Sequence, residues 1–91
     1  MRHIVAYDIK DAKRLKKIAR ICLDYGVRVQ YSIFEFDLPE DLTLNFLHEL
    51  AEIIDPADDK VMVVPICENC RKHIHLMGKA EIFTLPEIFL F

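Results

Sequence analysis

Asp8 is the residue whose type and position most invite chemistry. It stands near the end of residues 3–9 (HIVAYDI), a short segment rich in β-branched and aromatic residues. Strand alternation puts it on the same face as Ile4 and Ala6. A carboxylate on an apolar face is costly unless it is paired, hydrogen-bonded or bound to a metal. Two uses are open. In one, Asp8 helps to cap a helix that begins near Asp11. In the other, two copies of the chain meet across a two-fold axis and their Asp8 carboxylates hold a divalent ion. Mg²⁺ suits that role, because it takes oxygen ligands, keeps several waters and needs only one or two carboxylates plus substrate phosphate.

A second constellation is Cys67-x-x-Cys70 followed by His73 and His75. Two thiolates and two imidazoles make a tetrahedral zinc site when suitably spaced. Here the spacing is poor, since His73 follows Cys70 by only three residues and the two histidines lie at i, i+2. The segment reads instead as a turn holding two buried or half-buried thiols. Thioredoxin-like redox chemistry lacks its βαβ setting.

A third is the basic run of Lys10, Lys13, Arg14, Lys16, Lys17 and Arg20 against Asp11 alone, a local balance of +5 in a chain of net charge −3. Helical spacing projects Lys13, Lys16, Lys17 and Arg20 to one side. That stripe is either a solvated helix face or a phosphate-binding surface. Tyr31, Phe34 and Phe36, beside Arg28, are equally ambiguous: they stack on bases or fill a core.

The elements that must position these groups follow from periodicity. Residues 3–9 form a first strand. From Asp11 to Tyr25 the residues Leu15, Ile18, Ala19, Cys22 and Tyr25 line one helix face, and Gly26 stops the helix. Residues 27–38 (VRVQYSIFEFDL) form one bent strand or two strands reversing near residues 30–32. Asp37, Pro39 and Glu40 resemble a capping box, after which Leu42, Phe46, Leu47, Leu50, Ile53 and Ile54 carry an apolar stripe. Asp58 and Asp59 fall in a polar loop. Residues 60–66 (KVMVVPI) form a strand whose Pro65 marks an edge or bulge. Residues 67–71 are a turn, 73–77 a short strand, and Gly78 ends it. The last eleven residues (EIFTLPEIFLF) are apolar enough to need a surface.

Ninety-one residues that are 53% hydrophobic and 30% charged describe one domain and exclude disorder. No apolar run reaches the length of a membrane span, and the first strand lacks the features of a signal peptide. Three cysteines make no disulfide framework. The chain is expected to be soluble and cytoplasmic. Two helices cover one face of a small sheet, yet the strands are apolar on both faces. An identical subunit is expected on the second face, with the C-terminal tail as an added strand on that subunit's sheet edge.

The motifs Tyr7-Asp8-Ile9, the basic helix, Tyr25-Gly26, Arg28-Val29-Gln30-Tyr31-Ser32-Ile33-Phe34-Glu35, Ile54-Asp55-Pro56 and Pro65-Ile66-Cys67 resemble those of the CRISPR-associated protein 2 family, small dimeric nucleases of CRISPR adaptation. The similarity runs from residue 1 to about residue 78. It implies an α+β, ferredoxin-like βαββαβ subunit spanning residues 1–78, with residues 79–91 exchanged as a strand in a homodimer of facing sheets. It implies Mg²⁺ at Asp8, with Tyr7, Arg28 and Phe34 near the active site, Arg28 stabilising phosphate charge. Arg14, near a family arginine position, is carried over as a phosphate contact beside Lys13, Lys16, Lys17 and Arg20. The resemblance also implies that some relatives act mainly as scaffolds for a CRISPR-associated integrase, binding duplex DNA, whereas others cleave RNA or DNA.

Overall fold

The β-branched and aromatic residues of the N-terminal segment produce a strand, β1 (Arg2–Asp8), which becomes the hub of the sheet. The computed structural model describes residues 1–77 and 89–90. After β1 come α1 (Ala12–Tyr25), β2 (Val27–Gln30), β3 (Ile33–Asp37), α2 (Glu40–Ile53) and β4 (Lys60–Ile66). The sheet order is β2-β3-β1-β4 with all neighbours antiparallel, which is the ferredoxin-like βαββαβ arrangement of the α+β class. Residues 27–38 therefore make two strands, reversing at Tyr31-Ser32, with a register irregularity between Arg28 and Gln30. Pro65 sits opposite His3 on the edge strand β4, where a missing N–H is tolerated.

The helix ends agree with the sequence expectation at α1, with Asp11 at its start and Gly26 as the stop, and differ from it at α2. Asp11 is the cap of α1, its carboxylate accepting from the Arg14 amide at 2.9 Å, so Asp8 has no capping duty. Gly26 ends α1 in an extended conformation, not a left-handed one. Its role is room: a Cβ there would lie 2.4 Å from the Glu35 carbonyl oxygen and 2.5 Å from Phe36 Cδ1. The capping box expected at α2 is not formed. Pro39 occupies the cap position without a side-chain bond, the Thr43 hydroxyl donates to the Pro39 carbonyl at 3.1 Å, and Glu40 and Asp41 put negative charge in the first turn.

Both helices pack on one face of the sheet over Val5, Tyr7, Ile9, Ile18, Cys22, Phe34, Phe36, Phe46 and Leu50. Ile18 and Cys22 of the expected α1 face are buried, whereas Leu15 and Leu42 of the two expected stripes remain exposed. A row of rings ties the layers together. Tyr7 meets Phe34 at 6.1 Å, Phe34 meets Phe36 at 6.3 Å, Phe36 meets Phe46 of α2 at 4.3 Å, and Phe46 meets Tyr25 of α1 at 5.0 Å. On the opposite face Met62 is 60% and Val64 37% exposed, beside half-buried Ile4 and Ala6. That face is apolar and only partly covered within one chain.

What covers part of it is α3 (Glu68–Arg71), a four-residue helix where a turn was expected. Arg71 is buried and its Nε donates to Glu35 Oε1 at 2.6 Å, while Arg2 Nη1 donates to the same oxygen at 2.9 Å and Arg2 Nε to Glu68. The expected strand 73–77 shrinks to β5 (His75–Leu76), which pairs in parallel with β6 (Phe89–Leu90). His73 lies instead in the preceding turn, its Nδ1 2.7 Å from the Asn69 carbonyl. The rest of the expected tail strand, residues 79–88 and 91, lies outside the described residues. Among the described residues, no helix is long and apolar enough to cross a membrane.

Candidate functional site

Strand alternation carries Asp8 to the sheet face away from the helices, as the last residue of β1, in register with Lys60. Its side chain is 61% exposed and pairs with Lys10 Nζ at 3.3 Å. An exposed pair of this kind contributes little to stability. The carboxylate is thus available to a ligand without cost to the fold. The backbone beneath it is held firmly. Ile9 is buried in the core, and the Lys10 amide donates to Asp59 Oδ1 at 3.0 Å.

Asp59, which reads from sequence as a loop residue, is the hidden anchor of this end of the molecule. Its side chain is completely covered. It accepts from the Lys10 amide, the Asp55 amide at 2.9 Å, Arg14 Nε at 2.8 Å and Arg14 Nη2 at 3.2 Å. The Arg14 hydrogen bonds, followed by the two amides, hold its carboxyl well below the usual carboxylate range against the opposing effect of burial. No motif announces this residue; the single hint is an aspartate immediately before the β4 strand.

Arg14, expected among the phosphate contacts, therefore has its guanidinium fork occupied by a protein carboxylate. Lys13, Lys16, Lys17 and Arg20 are all exposed and line one shallow groove along α1. The helical spacing of these four residues thus translates directly into a cationic surface.

Tyr7, Arg28 and Phe34 occupy the helix-covered face, opposite to Asp8. Phe34 is fully buried and Tyr7 nearly so. Cross-strand register places Arg28 directly opposite Phe34, and its guanidinium carbon lies 5.0 Å from the Phe34 ring centroid. Arg28 Nε is buried without a hydrogen-bond partner among the described residues. Burial pushes the Tyr7 phenol above its ordinary value, an effect the neighbouring Arg28 partly opposes, and the phenol donates to the Tyr31 carbonyl at 3.4 Å. Phe36 is core as well, whereas Tyr31 is 66% exposed at the β2–β3 turn.

Cys67 and Cys70 are free and exposed, not buried or half-buried as their reading as a turn implied. Among the described residues, no group of three or more His, Cys, Asp or Glu side chains is arranged to hold a metal ion. A metal at Asp8 therefore requires donors beyond the described residues.

Residues 1–74 match the family model described as CRISPR associated protein Cas2. The chain is 40% identical over 70 residues to a protein of Rhodospirillum rubrum named CRISPR-associated endoribonuclease Cas2 4, covering 76% of this chain but only 56% of that relative's length. It is 30% identical over 89 residues to CRISPR-associated endoribonuclease Cas2 2 of Synechocystis, covering 96% of this chain and 95% of the relative. Among solved structures, Cas2 of Streptococcus pyogenes at pH 6.5 superposes with a TM-score of 0.79 at 31% identity, over 86% of this chain and 100% of that one.

Proposed function

This chain belongs to the CRISPR associated protein Cas2 family, and from that premise we propose that it is a homodimeric, metal-dependent endonuclease acting on RNA or DNA phosphodiesters in CRISPR adaptation, a step of antiviral defence. The names of its relatives as endoribonucleases support this reading. The observation that carries it is Asp8, an exposed carboxylate at the end of an anchored strand, on the sheet face that the helices leave open and with no capping duty. In a dimer of facing sheets two copies of Asp8 approach each other. Two carboxylates surrounded by room for water fit Mg²⁺, which rarely demands a complete protein cage. When bound, that ion supplies Lewis-acid polarisation of the phosphate and a lowered pKa for a bound water.

The remaining roles fall to the chain's own groups. Lys10, beside Asp8, is placed to meet a phosphate oxygen. Tyr7 and Phe34 hold β1 from the covered face, and Arg28, stacked on Phe34, is a positioning residue acting through them. The groove of Lys13, Lys16, Lys17 and Arg20 holds the nucleic-acid backbone, with Arg14 supporting it through Asp59. Residues 79–91 form the segment exchanged onto the partner subunit.

The test is incubation of the purified dimer with labelled RNA and DNA, with Mg²⁺ or with chelator, for wild type and Asp8→Asn. Cleavage is expected only with the metal and only in wild type. The Asn variant keeps its fold and gains dimer stability where two carboxylates no longer repel. Wild-type cleavage by Asp8→Asn refutes the assignment. A second reading, a non-catalytic duplex-binding adaptor for a CRISPR-associated integrase, is favoured by the basic groove along α1. Salt-dependent duplex binding with no cleavage under any divalent metal selects it.

A further inference from the structure

The Cys67-x-x-Cys70 pair is not used by the nuclease reading, and its geometry is specific. Cys67 immediately precedes α3, and its Sγ accepts the Cys70 amide hydrogen at 3.4 Å. Both residues are exposed and free, one turn of the chain apart. The next residue, Arg71, is buried on Glu35, which fixes the backbone just beyond the pair. The third cysteine, Cys22, is completely buried, and burial pushes its thiol up to about 12.

We propose that Cys67 and Cys70 form a dithiol–disulfide couple that exchanges with small-molecule disulfides, Cys67 attacking and Cys70 resolving. The Cys67 thiolate attacks one sulfur of the external disulfide, forming a mixed disulfide and expelling one thiolate. Cys70 then loses its proton and attacks Cys67 Sγ, closing the Cys67–Cys70 bond and expelling the second thiolate. The two chain thiols are oxidised by two electrons, the external disulfide is reduced to two thiols, and the two protons released by the chain go to those products.

The order of attack follows from the surroundings of the sulfurs. The Cys70 amide, then the Cys70 thiol, hold Cys67 below its ordinary value. Cys70 is held above its own, first by donating to Cys67 and then by the charge there. Capture of Cys67 as a mixed disulfide removes that charge, which releases Cys70 to ionise and complete the exchange.

The experiment treats the native full-length protein with oxidised glutathione near neutral pH, removes the excess, alkylates under denaturing conditions and maps the peptides by mass. Wild type is expected to lose two hydrogens, to carry an internal link between Cys67 and Cys70, and to be alkylated only at Cys22. Cys70→Ser traps a stable glutathione adduct on Cys67, and Cys67→Ser forms no internal link. Glutathione on both cysteines of wild type, a link between two copies, or no adduct in Cys70→Ser overturns the proposal. A check independent of any variant is limiting alkylation of native wild type. Modification of Cys67 ahead of Cys70, with Cys22 untouched, supports the assignment, and the reverse order refutes it.

Discussion

Replacing Glu35 by Gln tests the clamp that holds α3 on the open face of the sheet. Glu35 is 3% exposed and Arg71 also 3%, and Oε1 receives Arg71 Nε at 2.6 Å and Arg2 Nη1 at 2.9 Å. An amide of the same shape still accepts both hydrogen bonds but removes the negative charge that faces the buried Arg71 guanidinium. Breaking a buried pair from one side costs about 3–5 kcal/mol. Arg2 is partly solvated, with a side chain 28% exposed, so its own loss is small and the lower end of about 3 kcal/mol applies. The reciprocal change, Arg71→Met, is milder. Glu35 keeps Arg2 as a partner and the methionine refills the volume, so the loss is about 1–2 kcal/mol. Equilibrium denaturation at a fixed protomer concentration measures both, since any self-association adds a mass-action term. A loss from Arg71→Met equal to or greater than that from Glu35→Gln refutes the reasoning. So does a Glu35→Gln protein within about 0.5 kcal/mol of wild type.

Gly26→Ala places a methyl 2.4 Å from the Glu35 carbonyl oxygen and is expected to cost about 1–3 kcal/mol by overpacking; an unchanged denaturation midpoint contradicts this. Asp59 has a depressed folded-state pKa, so its contribution is fully present above its unfolded value of about 3.9 and is lost as pH falls through the folded one. In Asp59→Asn the stability-against-pH curve measured below that value is expected to be flatter than in wild type, and an equally steep curve refutes the assignment. Replacing Lys13, Lys16, Lys17 and Arg20 with Gln is expected to weaken nucleic-acid binding regardless of sequence. It also reduces the slope of log K against log salt by about 0.9 for each duplex phosphate that is no longer neutralised, and an unaltered slope makes the groove ordinary surface.

What could be read from the chain was whatever depends on neighbours a few residues away. β-branched and aromatic composition located β1 and β4, strand alternation put Asp8 with Ile4 and Ala6, and helical spacing brought Lys13, Lys16, Lys17 and Arg20 together, because both periods are properties of local backbone geometry. Pro65 announced an edge strand because it lacks a donor. The run from Arg28 to Glu35 carried the family resemblance, but not where its side chains go. Arg28 lies over Phe34 only because the Tyr31-Ser32 reversal and the irregular register bring them opposite each other. Asp11 took the cap of α1, freeing Asp8, because the start of a helix fixes which oxygen reaches its first amides. The two carboxylates that anchor the molecule were the least legible. Asp59 and Glu35 are buried by arginines 45 and 36 residues away, Arg14 and Arg71 respectively. Burial of that kind is decided when the helices and α3 close on the sheet. Neither the polar loop around Asp59 nor the Phe34-Glu35-Phe36 strand segment carries a mark of it, since the stability of a buried charge resides in its partner and not in its own position along the chain.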